Sequence, residues 1–160
     1  MATWGQVVAE APELARAVQA RFAAHRHKVL ATLRADGSPR VSGIEVELAG
    51  DQVRLGMMNG SVKALDLLRD PRFALHSGSP DPDDEDPGAW PGDAKIAGRA
   101  VEVTDPEEVA AVLAGAPGEG GHVFRLDVTE VVTIALSDPP DRLVITSWHE
   151  GRGVTRAERT

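Results

Sequence analysis

The spacing of apolar residues changes from a helical period to a strand period within the first third of the chain. Residues 12–26 are predicted to be helical, because apolar side chains recur every four residues at Leu14, Val18 and Phe22. From residue 29 to residue 34, apolar and polar positions roughly alternate, which is typical of a half-buried strand. An N-terminal helical segment therefore precedes a region of β structure.

Two further strands are predicted directly after the first. The turn signal Asp36-Gly37 separates residues 29–34 from a second strand at 40–49, and Gly50-Asp51 separates that strand from a third at 52–58. Links this short favour antiparallel neighbours, so the three strands are predicted to form a meander.

The rest of the chain continues the same mixture of strands and short helices. A helix is predicted from Val62 to Arg69, with Ser61 as its N-cap, and a second from about 105 to 115. The remaining strands are predicted at residues 73–77, 94–104, 122–136 and 142–148. The prediction is a mainly β fold with flanking short helices, in which six or seven antiparallel strands form a closed or nearly closed barrel.

Length and composition indicate one domain. A chain of 160 residues with 42% hydrophobic residues is expected to form a single core, so residues 1–160 are predicted to be one domain. Within it, residues 1–26 form the N-terminal helical segment and residues 78–93 an irregular loop rich in Pro, Gly and Asp. Much of the net charge of -8 lies in this loop, which we interpret as a solvated segment.

Charge and residue content argue against several classes of protein. The net charge of -8 argues against a nucleic-acid-binding protein, and the absence of cysteine excludes disulfides and thiolate metal sites. No apolar run approaches the roughly 20 residues that a membrane helix needs, and the N-terminus has no secretory signal pattern. A cytoplasmic protein without nucleic-acid or membrane partners is expected.

Residues 56–64 carry the clearest chemical signal. A predicted strand ends, a glycine allows the turn, and a helix begins with Ser61 at its cap and Lys63 in its first turn. Free amide hydrogens, the positive end of the helix dipole, a hydroxyl and an ammonium then meet at one place, which suits a phosphate. The alternative interpretation is an ordinary capped helix with a solvated lysine.

The order of the motifs resembles the pyridoxamine 5'-phosphate oxidase-like family of flavin-binding split-barrel proteins. The resemblance rests on four short segments in sequence, residues 29–33, 36–39, 61–64 and 70–72, and covers roughly residues 27–150. It implies a Greek-key split β-barrel and a homodimer with two cofactor sites along its interface. The implied cofactor is flavin mononucleotide (FMN) or a deazaflavin, and the implied activity is that of an oxidoreductase acting on a small molecule.

The resemblance also implies which residues contact the cofactor. Ser61 and Lys63 match the family's phosphate grip, and Trp148 falls near a C-terminal position where many members place an aromatic residue beside the ring. The other cofactor-binding residues that it implies lie on the second and third strands: Val41, Ser42, Gly43, Met57, Met58 and Asn59. For Trp148, a core or interface tryptophan is an equally good interpretation.

Three departures from the family pattern bear on the activity. Val62 and Ser42 stand where the oxidases have arginines that contact the phosphate, and Glu47 stands where they have a lysine. The changes argue against vitamin B6 oxidase activity and leave open FMN, a deazaflavin, or a site that has lost its cofactor. The arginines that could compensate are Arg40, Arg54 and Arg72.

The leading hypothesis is a flavin-type oxidoreductase, with Ser42 as a candidate for tuning the ring and no residue identified as catalytic acid or base. The alternative is a non-catalytic ligand-binding or sensor protein with a degraded phosphate site. A haem-binding relative is a third possibility, with His76 or His149 as ligand. The pair His25 and His27 lacks a third ligand at suitable spacing, so no metal site is expected.

Overall fold

The computed structural model describes residues 1–160 and consists of nine strands and four α-helices. The helices are α1 (Trp4–Glu10), α2 (Pro12–Ala23), α3 (Val62–Arg69) and α4 (Pro106–Val112). The strands are β1 (Lys28–Leu33), β2 (Pro39–Ile44), β3 (Glu47–Ala49), β4 (Gln52–Met58), β5 (Arg72–His76), β6 (Asp93–Val103), β7 (Gly121–Leu136), β8 (Leu143–His149) and β9 (Gly153–Arg159). The predicted mainly β, antiparallel fold is confirmed.

Seven of the strands follow one continuous path, in the order β2-β1-β5-β6-β7-β4-β3, and every neighbouring pair is antiparallel. The strands β2 and β3 therefore form opposite edges of the sheet. Only Glu45 and Val46 connect them along the chain. The three Cα–Cα steps from Ile44 to Glu47 span at most about 11 Å, so the sheet must curl until its two edges are neighbours. No ladder joins these edges, and the barrel is split there.

This split corrects the predicted meander. The second predicted strand, at residues 40–49, breaks at Glu45 and Val46 into β2 and β3, which pair with different partners. β2 pairs with β1, whereas β3 pairs with β4, and β4 then pairs with β7. The alternating sequence gives no sign of the break, because both halves have strand character.

The nine strands exceed the six or seven that the sequence predicts. The broken second strand accounts for one of them, and β9 at the C-terminus accounts for the other. β9 pairs only with β8, and most of its side chains are exposed, so it lacks the apolar alternation of a core strand. β8 and β9 extend the sheet as a hairpin from the second half of β7.

The hydrophobic core fills the barrel and the space beneath the N-terminal helices. It contains 25 buried residues and includes Trp4, Phe22, Phe124 and Trp148. α1 was not predicted as a separate helix; it begins after Thr3, whose hydroxyl accepts the amide hydrogen of Gln6, and ends at Glu10. The two N-terminal helices thus cover one side of the barrel and leave the split accessible.

The helix after β4 spans Val62–Arg69, as predicted, with Ser61 at its N-cap position. The acidic loop is irregular apart from a short 3₁₀ turn at Pro87–Ala89. None of the helices has the length and apolar character needed to cross a membrane.

Candidate functional site

The N-terminus of α3 lies at the split, directly after β4. Gly60 has a φ of 68°, a left-handed conformation that glycine adopts without strain, and this turn brings Ser61 to the start of the helix. The side chain of Ser61 makes no capping hydrogen bond, and its Oγ is buried without a partner. The amide hydrogens of the first turn have no intrahelical acceptors. Unsatisfied donors and a positive partial charge therefore meet beside Ser61.

Lys63 adds a full positive charge to the same place. Its Nζ donates to the carbonyl oxygen of Gly43 on β2, at 2.8 Å. The contact crosses the split between the two edges of the sheet. Because this partner is an uncharged backbone carbonyl, no anion offsets the charge of the ammonium, which is held at the mouth of the barrel.

A cavity of about 650 Å³ opens at this split. This volume falls within the range of ligand pockets in proteins, roughly 300–1,000 Å³. Its walls come from four parts of the chain: the connection from α2 to β1, the connection from β2 to β3, the strand β4 with the start of α3, and the end of α4 with the segment that follows it. The lining residues that matter below are Arg26, Glu45, Glu47, Arg54, Gly56 and Lys63.

The roof of the cavity packs closely on a glycine of its floor. Gly56 lies in the middle of β4, and a Cβ atom built on it would lie 3.2 Å from Cδ2 of Leu113 and 3.5 Å from Cγ1 of Val112. Both of these residues line the cavity at the end of α4. The absence of a side chain at Gly56 therefore allows Val112 and Leu113 to pack directly against β4.

Of the predicted cofactor-contacting residues, five line the cavity: Gly43, Met57, Met58, Ser61 and Lys63. Val41, Ser42 and Asn59 do not. Val41 is 70% exposed on the outer face of β2, while Ser42 points to the opposite face of the same strand. The structure thus brings Ser61 and Lys63 of the phosphate grip together with Gly43. Val41 and Ser42, which precede Gly43 on β2, lie outside the cavity.

Trp148 lies away from the cavity. Its side chain is fully buried in the core, and its Nε1 donates to Oε2 of Glu10 on α1 at 2.9 Å. This bond, together with that from Gln6, lowers the pKa of Glu10, with the bond from Gln6 the larger cause. The indole has no surface available for a ligand, which agrees with the interpretation of Trp148 as a core residue.

The three arginines considered as replacements for the missing cations have different positions. Arg54 lines the cavity, where its Nε lies 3.4 Å from Oε1 of Glu108 on α4. Arg72 pairs with Asp70 on the surface, and its guanidinium holds the pKa of that carboxyl at about 2. Arg40 is held by Asp66 at 2.6 Å. Only Arg54 is therefore placed to act in the cavity.

Asp66 is the buried centre of a network that fixes α3 against the sheet. Its carboxylate accepts hydrogen bonds from Thr32 at 2.8 Å, Arg40 at 2.6 Å and Arg69 at 2.8 Å. Thr32 and Arg40 are cross-strand neighbours on β1 and β2. Burial raises the pKa of Asp66, but the hydrogen bonds from Arg40, Arg69 and Thr32 outweigh it and lower the pKa below its ordinary value of 3.8. The carboxylate is therefore ionised and anchors the helix that carries Lys63.

Sequence reasoning missed two groups of residues around the cavity. Arg26 pairs with Glu45 at 2.9 Å at the entrance, and the segment after α4 forms the roof. Both groups reach the cavity through contacts between segments that are distant in sequence. The glycine-rich run 115–121 was a signal for a loop, but nothing in it indicated a position over β4.

A third missed residue is His122, which supports the turn before Ser61. Its Nε2 accepts the amide hydrogen of Gly60 at 3.4 Å, and its Nδ1 lies 3.1 Å from Oε1 of Glu102. Since Nε2 accepts, the proton of the neutral ring belongs on Nδ1 and points to Glu102. His122 thereby links the phosphate-grip turn to β6.

The histidines considered as haem ligands do not reach the cavity. His76 lies 3.3 Å from Asp93, and His149 lies 3.2 Å from Glu130. His27 does line the cavity, on the surface 3.6 Å from Glu45. No group of three or more His, Asp or Glu side chains has an arrangement that fits a metal ion.

Comparison with solved structures shows the same fold in proteins of low sequence identity. A pyridoxamine 5'-phosphate oxidase-related, FMN-binding protein from Nostoc punctiforme matches with a TM-score of 0.63 and 14% identity, over 94% of this chain and 96% of that one. PhzG from Burkholderia lata, in complex with tetrahydrophenazine-1-carboxylic acid, has a TM-score of 0.61 and 16% identity, over 96% and 91% of the two chains. A haem-binding protein from Mycobacterium smegmatis has a TM-score of 0.56 and 19% identity, over 89% and 87%.

The sequence comparisons identify the family. A search of curated proteins found no match. The profile of the family described as pyridoxamine 5'-phosphate oxidase matches residues 14–135, about three quarters of the chain, from the first turn of α2 to near the end of β7. On this match and on the split-barrel fold, the chain belongs to the pyridoxamine 5'-phosphate oxidase-like family.

Proposed function

We propose that the cavity binds the phosphate of a flavin-type cofactor and that the protein is an oxidoreductase. The observation that carries the proposal is the convergence of Ser61 Oγ, the first-turn amides of α3 and the Lys63 ammonium at one end of the cavity. A buried hydroxyl without a partner costs free energy unless a ligand satisfies it, and a phosphate oxygen does so.

The rest of the cavity fits the proposal. Its volume of about 650 Å³ lies in the range of ligand pockets, and Met57 and Met58 provide apolar lining beside the Ser61 and Lys63 end. When bound, a flavin or deazaflavin ring supplies hydride transfer, and the chain contributes binding, orientation and exclusion of water. FMN is the cofactor that we favour, since a relative of the same fold is described as FMN-binding; a deazaflavin with its phosphate in the same grip is the alternative.

We further propose a homodimer. The outer face of the strands β2, β1, β5 and β6 carries small apolar side chains in one row: Val41, Ala31, Ala74 and Ala97 are successive cross-strand neighbours. Val29 and Gly43 lie in the next row. Because Gly43 also lines the cavity, a second chain docked on this face would lie beside the cofactor.

A non-catalytic ligand-binding or sensor protein is the second candidate, favoured by the small number of free cations. Val62, which stands where the family pattern has a phosphate-binding arginine, is 55% exposed, and Arg40 is engaged with Asp66. With Lys63 as the main cation, binding of FMN is expected to be weaker than in a site with additional arginines. Haem is the least supported ligand, because His76 and His149 are paired outside the cavity.

The test is an equilibrium titration of the protein with FMN and with a deazaflavin cofactor, followed by fluorescence. The proposal predicts saturable binding of one of them, weakened about tenfold or more by Lys63→Ala, because a charge-assisted bond contributes about 1.5–3 kcal/mol. Arg16→Ala is the matched control, since Arg16 is an exposed cation on α2 that forms no ion pair and does not line the cavity. Equal affinity in wild type and Lys63→Ala would remove the proposed site, and no binding of either cofactor would favour the second candidate.

A further inference from the structure

The cavity has two chemically different ends. Alternate residues of β4 point to the same side, so Met58, Gly56 and Arg54 follow one another along the cavity floor. Met58 adjoins the end with Ser61 and Lys63. Arg54 lies four residues away, about 13 Å along an extended strand. Glu47 is its direct cross-strand neighbour on β3, so Glu47 and Arg54 together form the far end.

Most charged groups of the cavity are neutralised by a partner. The guanidinium of Arg26 pairs with Glu45 at 2.9 Å, and that of Arg54 turns to Glu108 at 3.4 Å. Arg54 also donates to the side-chain oxygen of Gln52 at 3.2 Å.

Two charged residues remain without an ion pair. They are Lys63 at the near end and Glu47 at the far end, which takes part in no salt bridge or side-chain hydrogen bond. Glu47 faces Arg54 across the ladder, but the contacts of that guanidinium are made with Glu108 and Gln52 instead.

We propose that Glu47 selects a substrate that carries a protonated amine, bound at the end of the cavity opposite the phosphate grip. This inference rests on the proposed function, in which the cofactor phosphate occupies the Lys63 end and the substrate enters at the other. A ligand that enters this end removes water from the Glu47 carboxylate. An ammonium group replaces the lost water with an ion pair, whereas a carboxylate would bring two negative charges together.

The neighbouring charged groups also favour a cationic substrate over an anionic one. Glu108 neutralises Arg54 at this end and Glu45 neutralises Arg26 at the entrance, so neither arginine is a free cation that could bind an anionic substrate. The next charged group with no ion-pair partner is Lys63, which the cofactor phosphate would occupy. The far end is therefore selective for cations even though the cavity as a whole contains both signs of charge.

The test uses three probes with the same ring and different charge: benzylamine, benzyl alcohol and benzoate. Each is titrated near neutral pH and at low salt into the FMN-loaded protein, with the absorbance change of the flavin as readout. Wild type is expected to bind the protonated amine about fivefold more tightly than the alcohol, the upper range for a partly exposed ion pair, and benzoate least.

The variants assign this preference to one carboxylate. Glu47→Gln is expected to bind amine and alcohol equally, and Glu47→Lys to prefer benzoate. Glu107→Gln is the matched control, because Glu107 is exposed on α4 outside the cavity and is expected to keep the wild-type order. A preference for the amine that survives in Glu47→Gln, or the absence of any preference in wild type, would overturn the proposal.

The same probes are also titrated by calorimetry into the protein without flavin. If neither FMN nor a deazaflavin binds, the proposed function fails, but a preference for benzylamine that disappears in Glu47→Gln would still support Glu47 as the selecting residue. If FMN binds and none of the probes binds, or all bind equally, the proposed function stands and the selection by Glu47 is wrong.

Discussion

The Nζ atom of Lys63 lies 2.8 Å from the carbonyl oxygen of Gly43 and so joins the first turn of α3 to β2 across the split of the barrel. These residues are 20 positions apart in sequence and belong to the two sides of the cavity mouth. The contact orients the ammonium without neutralising it. A phosphate that binds beside Ser61 therefore meets a cation that is already in place, and less side-chain entropy is lost on binding.

The anchoring of α3 by Asp66 leads to a prediction about stability. Asp66→Asn keeps the shape of the side chain but removes the charge that Arg40 and Arg69 share, so the free energy of unfolding is expected to fall by about 2–3 kcal/mol. Urea denaturation at neutral pH measures the change. Asp84→Asn, in the exposed acidic loop, is the control and is expected to leave stability unchanged. Equal stability of wild type and Asp66→Asn would contradict the role of the network.

The lowered pKa of Asp66 adds a pH dependence to this difference. An aspartate whose pKa is lowered in the folded state contributes its full stabilisation when the pH is above its unfolded-state pKa of 3.8. This stabilisation is lost as the pH falls through the lower pKa of the folded state. The stability gap between wild type and Asp66→Asn is therefore expected to narrow as the pH falls below about 4. A gap that stays constant down to the pH of acid unfolding would show that Asp66 is not the ionised centre of the network.

The bonds of His122 predict an effect on cofactor binding without direct contact. Loss of the ring in His122→Ala removes the acceptor of the Gly60 amide and loosens the turn that positions Ser61. The affinity for FMN is expected to fall about three- to tenfold, the equivalent of one hydrogen bond. Hydrogen exchange across residues 58–64 should become faster in the same variant. His149→Ala, at a surface pair with Glu130, serves as control, and unchanged affinity and exchange in His122→Ala would exclude the positioning role.

The apolar row on the outer face of the sheet predicts the oligomeric state. Wild type is expected to have twice the mass of the chain in light scattering at micromolar concentration. Ala74→Glu places a charge in the centre of the row and is expected to give monomers, because an unpaired carboxylate at the core of an interface costs several kcal/mol. Ala49→Glu, on the exposed end of β3, should remain dimeric. A monomeric wild-type protein would count against the interface.

Local signals in the sequence predicted most elements of this fold. The limits of α3 follow from Ser61 at its start and Asp70-Pro71 after its end, and β4 follows from alternating apolar residues bounded by turns. The break at Glu45 and Val46 had no local signal, because strand propensity continues through it. The sheet changes partners there as a consequence of barrel closure, which is a property of the whole chain.

The site was predictable to the extent that its residues are adjacent in sequence. Ser61 and Lys63 lie on one helical turn, so their proximity follows from helix geometry. The engagement of Arg40 by Asp66, the pairing of Arg54 with Glu108 and the burial of Trp148 depend on contacts between distant segments. Spacing along the chain carries no information about such contacts, which is why it did not distinguish between the three arginines.

The phosphate grip, the central claim, is tested most directly by comparing FMN with riboflavin, which differs from it only by lacking the phosphate. Fluorescence titrations of both ligands are made with wild type and with Lys63→Ala. We predict that wild type binds FMN at least about tenfold more tightly than riboflavin, and that the ratio falls toward one in Lys63→Ala. Equal affinity of wild type for the two ligands, or a ratio that the substitution leaves unchanged, would contradict the assignment of Ser61 and Lys63 as a phosphate grip.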